Sequence, residues 1–262
     1  MSLFNAKPAK KAPMMASTPA NSAKKAAKKP IAKKKPVKSK PKKSVKGATA
    51  SGDKQRFTLH GTMTSGPSYT VGLMLSLCRH PFSYIHVNLR EGQHKQPDYL
   101  VKNRYGQVPA LRDGQLFLVQ SAAILEHLSE TLHKFDGKTP VEKIRVREWL
   151  FWQWDKLSVP LLRLRARNRG FRQFGDEVRT MYDTEAKAAL AVIENELAKS
   201  EWIVGKKPTI ADIGIFAIVR YAPEAMIDLT PYPNIVAWKK RIEAMPGFGT
   251  PEQILPMESR LL

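Results

Sequence analysis

Cysteine is almost missing from this sequence. One thiol, Cys78, stands among 262 residues, which excludes an intramolecular disulfide framework and any cysteine-built metal cluster, and fits a reducing compartment. Long apolar runs are missing too. None reaches the roughly eighteen residues of a membrane-spanning helix, and the N-terminus lacks the continuous apolar stretch of a secretory signal. The third absence is local: residues 1–52 contain no acid and no arginine. A mitochondrial presequence wants arginine on an amphipathic helix, whereas here Pro8, Pro13, Pro19, Pro30, Pro36 and Pro41 interrupt the chain. No internal repeat suggests a solenoid. These absences lead us to expect a cytoplasmic protein that holds no metal.

What is present is charge of one sign, unevenly spread. The formal net charge is +21, and residues 1–52 carry fifteen lysines. After that segment 29 basic residues face 23 acidic ones, so only about +6 belongs to the remainder. The basicity is a property of the arm. Residues 1–54 are mostly Lys, Ala, Pro, Ser and Thr and cannot bury enough apolar surface to offset the entropy of ordering, so we expect them to be disordered. The arm resembles the tails of linker-histone-like proteins in composition. Lysines brought to phosphates would give non-specific binding to nucleic acid or an anionic surface, steeply weakened by salt. A purely solubilising tail accounts for the same composition.

From Arg56 the pattern becomes that of a folded protein, helped by an apolar content of 42%. Phe57 and Leu59 alternate as in a strand, Gly61 to Ser68 read as a loop, and Val71, Leu73, Met74, Leu75 and Leu77 predict a helix. Alternation at Ile85, Val87 and Leu89 predicts a second strand, parallel to the first. A polar stretch, Glu91 to Arg104, follows. Two short strands then flank Asp113-Gly114, and Ser121 to Leu132 reads as a closing helix. This βαβ-then-ββα order is that of a thioredoxin-like domain, placed at residues 55–133. Beyond it only helical patterns remain, near Val141–Arg165, Asp176–Lys199, Ile210–Tyr221 and Pro233–Met245, giving an all-helical domain at 141–256. The fold class expected is α/β plus all-α.

Several strings resemble the glutathione transferases over about Phe57 to Pro256. The most specific is Gly106 to Leu111, GQVPAL, followed by Asp113 to Leu128, DGQLFLVQSAAILEHL. The resemblance implies a cis bond before Pro109, with the Val108 backbone turned to pair with an extended peptide. It places Gln120 against the ligand's ammonium group and Ser121, at a helix N-terminus, against its γ-glutamyl carboxylate. Taken singly, Ser121 could merely cap the helix and Pro109 merely shape a turn. Gly92 to Leu100, GQHKQPDYL, resembles theta- and phi-like members, and implies that His94 and Lys95 reach the glycine carboxylate. Members often have Asn-Pro where this chain has Asn103-Arg104.

Thr64 to Leu73, TSGPSYTVGL, resembles the serine-type motif of theta and zeta members, with Ser65 in the activating position. A hydroxyl donated to the thiolate at a helix N-terminus would lower a thiol pKa of about 8.5. Thr64 and Ser68 are rival hydroxyls, and a helix cap is the alternative reading of Ser68. Pro67 stands where zeta members have cysteine. In the bundle, Thr209 and Asp212 have capping-box spacing. Trp149, Phe151, Trp152 and Trp154 precede Arg163, Arg165, Arg167, Arg169 and Arg172; aromatics so spaced usually belong to a core, and an arginine run to a solvated face. The resemblance thus implies a detoxification enzyme that binds glutathione as co-substrate, attacks a small electrophile or peroxide, and pairs as a homodimer. A non-catalytic relative serving as an interaction scaffold is the competing expectation.

Overall fold

The computed structural model describes residues 56–262. The lysine-rich arm, with the disorder and polyanion binding expected of it, lies outside the described residues. Strand β1 (Phe57–Gly61) leads into helix α1 (Gly66–Leu77) and strand β2 (Ser83–His86). Short helix α2 (Pro97–Leu100), strands β3 (Ala110–Asp113) and β4 (Leu116–Val119), and helix α3 (Ser121–Leu132) complete the first layer pair. The sheet order is β2-β1-β3-β4, with β1 and β2 parallel and the other pairings antiparallel. This is a thioredoxin-like α/β arrangement.

Alternation dictates the two faces of the sheet. Phe57 and Leu59 are fully buried in the main core with α1, while His60, on the other face, lies near Tyr99 and Phe117. The expected second strand sits differently, because β2 pairs with β1 only from Ser83 to His86. Val87 and Leu89 therefore fall beyond the ladder. They pack instead with Tyr99 and Ala110 in a small separate cluster.

The remainder is helical: α4 (Pro140–Trp152), α5 (Val159–Asn168), α6 (Asp176–Leu197), α7 (Ile210–Val219), α8 (Pro233–Glu243) and the short α9 (Pro251–Ile254). The single helix expected over Val141–Arg165 is divided by a π-helical segment, Gln153–Ser158, before Pro160. Proline has no N–H to donate and clashes with a regular preceding turn, so a widened turn there accommodates it. Helix α7 is buried along its whole length and packs against α1, α3 and α4. Helix α1 is buried nearly all round, and a Cβ at Gly72 would lie 2.8 Å from Ile254, so glycine permits the approach of α9. The tail then returns to the sheet, where Arg260 bridges Tyr84 on the β2 edge. Among the described residues no helix is long and apolar enough to cross a membrane.

Thr209 and Asp212 build the start of α7. Both Thr209 N–H and Thr209 hydroxyl donate to Asp212, and the Ala211 N–H donates to the Thr209 hydroxyl. Asp212 also accepts from the Ile203 N–H at 2.9 Å and the Trp238 indole at 3.0 Å. Thus a helix cap doubles as the tie between α7, α8 and the preceding loop.

Candidate functional site

Beside the sheet, four chain segments meet around a cavity of about 380 Å³. The first is the turn before β3, where the Val108–Pro109 bond is cis. The turn is held from behind. Asn103, buried at 2% exposure, donates from Nδ2 to the Gln107 carbonyl at 2.7 Å and the Pro109 carbonyl at 3.3 Å, and accepts from the Tyr105 N–H. The Tyr99 hydroxyl also donates to the Gln107 carbonyl, at 2.7 Å. Val108 itself makes no backbone hydrogen bond among the described residues, so its N–H and C=O remain open to an extended ligand.

The second segment is the start of α3. Gln120 precedes it with φ 70° and ψ 113°, a conformation that costs a non-glycine residue about 1–3 kcal/mol and is found where a ligand site is over-determined by its surroundings. The Gln120 side chain does not cap the helix, and Ser121 is the first helical residue. Its side chain is buried at the cavity, beside the first-turn N–H groups that a helix N-terminus leaves unpaired. Ser121 is therefore not the cap.

The third segment is the 3₁₀ turn Gln93–Lys95. Lys95 Nζ donates to the Gly106 carbonyl at 2.7 Å, keeping the ammonium at the cavity. Gly106 has φ 56°, a conformation any side chain would strain, and a Cβ there would crowd Lys95, 3.0 Å from its Nζ. His94 has its Nδ1 buried without a partner. Burial, and next the Lys95 cation, push its imidazole below the ordinary value. His94 and Lys95 thus bring an imidazole and an ammonium group side by side to the cavity.

Ser65 completes the site as the N-cap of α1, its Oγ accepting from the Ser68 N–H at 3.2 Å. A hydroxyl can accept and donate together, so its proton remains available to a ligand atom at the helix N-terminus. Of the three rival hydroxyls only Ser65 lines the cavity. The expectation that Ser68 caps the helix is corrected: its Oγ is buried without a partner, close to Gly61. Cys78 is remote, at the other end of α1, and burial pushes its thiol up to about 11.

All of Ser65, His94, Lys95, Val108, Pro109, Gln120 and Ser121 line the cavity. Trp154, on the π-helical segment, joins them with Pro67 and Leu89 to form an apolar wall. The other aromatics of that stretch divide: Trp149 and Trp152 meet edge to face, and Phe151 is exposed. The arginine run does not form one solvated face. Arg165 is buried and bonded to the Thr64 carbonyl and Glu224, and Arg169 also pairs with Glu224. Sequence reasoning overlooked Tyr99 and Asn103, although their i, i+4 spacing places both toward the turn they hold. Among the described residues there is no cluster of three or more His, Cys, Asp or Glu placed to hold a metal.

Two family models match the chain. That described as "Glutathione S-transferase, N-terminal domain" covers residues 57–130, and "Glutathione S-transferase, C-terminal domain" covers 170–246. Among curated relatives, the disulfide-bond oxidoreductase YfcG of Escherichia coli (strain K12) is 28% identical over 69% of this chain and 87% of its own. A maleylacetoacetate isomerase of Rhizobium meliloti (strain 1021) is 30% identical over 72% of this chain and 92% of its own. A solved structure of a possible glutathione S-transferase from Rhodopseudomonas palustris superimposes with a TM-score of 0.71 at 29% identity, covering 75% of this chain and 90% of that one.

Proposed function

This chain belongs to the glutathione S-transferase family, and from that premise we propose that it is an active glutathione transferase whose catalytic group is the Ser65 hydroxyl. The observation that carries the reading is the convergence, on one cavity, of residues from four separated segments whose chemistry matches one tripeptide. Val108 pairs with the cysteinyl backbone of glutathione as an added strand would. Ser121 and the α3 N-terminus take the γ-glutamyl carboxylate, Gln120 its ammonium group, and His94 with Lys95 the glycine carboxylate. The Ser65 hydroxyl donates a hydrogen bond to the sulfur, favouring thiolate over thiol.

The thiolate then forms a carbon–sulfur bond with an electrophile, which releases its leaving group, or attacks a peroxide oxygen, breaking the O–O bond to leave a glutathione sulfenic acid and an alkoxide that takes a proton from water. Trp154, Pro67 and Leu89 favour an apolar or aromatic co-substrate. The YfcG relative makes disulfide exchange a further thiolate chemistry for the same site. The isomerase relative lends less support to isomerisation, because Pro67 replaces the cysteine of zeta-type motifs. A cytoplasmic homodimer is the proposed form, with domains near 55–133 and 141–256.

The basic arm favours one second reading: a scaffold that docks residues 1–54 on a polyanion and uses the fold for interaction. Retention on immobilised glutathione, followed by thiol conjugation to an aromatic electrophile, separates the two. Retention with turnover that collapses in Ser65→Ala supports the enzyme. No retention overturns it.

A further inference from the structure

One arginine of the 163–172 run turns inward, under the loop that carries Ser65. The Arg165 side chain is 8% exposed. Its Nη1 donates to the Thr64 carbonyl at 2.7 Å, its Nε donates to Glu224 Oε2 at 2.9 Å, and its guanidinium lies 3.8 Å from the centroid of the Tyr221 ring. The Thr64 carbonyl belongs to the same rigid peptide unit as the Ser65 N–H, so holding that oxygen orients the plane from which Ser65 projects. The Tyr221 ring also supports the next residue: a Cβ at Gly66 would lie 3.3 Å from it. Ser65 is thus flanked on both sides by parts of one bundle assembly, Arg165 and Tyr221.

A buried guanidinium carries a desolvation cost that an apolar strut would avoid. Here the cation is only partly neutralised, since Glu224 also accepts from Arg169, and Arg220 lies 5.3 Å from the same Tyr221 ring. The remaining charged or titratable groups at the cavity are His94 and Lys95. Resting on the glutathione reading above, we infer that Arg165 is a positioning residue for the thiolate. It locks the Thr64–Ser65 peptide so that the hydroxyl faces the cavity, and it adds positive charge beneath the α1 N-terminus, where the sulfur loses its proton to solvent.

The test compares the full-length protein with Arg165→Met, Arg165→Lys and Glu224→Gln, reading the apparent pKa of bound glutathione from thiolate absorbance and the amide exchange of Ser65 and Ser68. Arg165→Met is expected to raise that pKa by about half to one unit, with glutathione affinity within about threefold of wild type. It should lower kcat more than it raises KM, and speed Ser68 exchange about tenfold. Arg165→Lys should restore most of the pKa. An unchanged pKa in folded Arg165→Met overturns the inference. Should that variant fail to fold, Glu224→Gln decides: a lowered pKa upholds the inference, and an unchanged or raised one overturns it. If wild type binds no glutathione, the functional reading falls by itself; faster Ser65 and Ser68 exchange in Arg165→Met, or in Arg165→Lys if only that variant folds, still upholds the positioning role, and unchanged exchange defeats it.

Discussion

Replacing Asn103 by alanine tests whether the turn that presents Val108 is held from behind. Three hydrogen bonds vanish: those to the Gln107 and Pro109 carbonyls and that from the Tyr105 N–H. The Gln107 carbonyl keeps the Tyr99 hydroxyl as its donor, so the deletion leaves two backbone groups short of a partner, one facing a buried side-chain position. At about 1 kcal/mol net per bond, with an added penalty for the orphaned groups, Asn103→Ala should cost about 3 kcal/mol. Asn103→Asp should cost at least as much, because it turns a carboxylate oxygen toward two carbonyls. Urea unfolding measures the stability change, and calorimetric titration with glutathione measures the site. We expect affinity to fall about tenfold or more, since a loosened Val108 must be ordered by the ligand. A loss below about 1 kcal/mol together with wild-type affinity would refute the reasoning.

Other residues give separable outcomes. Ser65→Ala removes both a helix cap and the thiolate donor, so it should lose about 1 kcal/mol of stability while its turnover falls far more than its glutathione affinity. Thr209→Ala, which removes a buried cap away from the cavity, should lose about 1–2 kcal/mol in urea unfolding and keep the wild-type KM for glutathione. Burial first, then the Lys102 and Arg112 cations, lower the His60 imidazole to about 4. The unfolded chain therefore binds a proton near pH 6.5 that the native state refuses, and stability should fall as the pH drops from about 6.5 to 4, by on the order of 2–3 kcal/mol. His60→Leu should flatten that part of the urea-midpoint profile. For the arm, removal of residues 1–54 should abolish salt-sensitive binding to a DNA duplex; binding that survives either the deletion or high salt contradicts the electrostatic account.

Local signals were legible where chemistry and pattern coincide. Helix α3 begins at Ser121 as its sequence predicts, because the apolar run of β4 ends at Val119 and an apolar 3.6-residue period follows. Apolar alternation at Ile85, Val87 and Leu89 misplaced β2, because Val87 and Leu89 are buried by a second small cluster outside the ladder. Burial alone does not make a strand. The π-helical segment escaped notice because Gln153 and Leu157, both buried, keep the i, i+4 spacing of a regular helix; Pro160 was the available signal. Likewise Asn103 looked like an unremarkable polar loop residue, and Arg165 like one of a solvated series. Their roles depend on what the fold sets beside them, Gln107 for one and Thr64 for the other. The candidate ligand residues were legible through the resemblance of their strings to the glutathione transferases, and the fold brings all seven to one cavity.

A cavity that binds glutathione and makes its sulfur acidic through Ser65 leaves a signature in the bound thiol itself. A pH titration of thiolate absorbance, with glutathione saturating wild type and Ser65→Ala, tests it most directly. The wild-type pKa should lie at least about one unit below the free-thiol value of about 8.5, and return toward that value in Ser65→Ala with glutathione still bound. Equal pKa values in the two proteins, or bound glutathione that titrates like the free thiol, would contradict it.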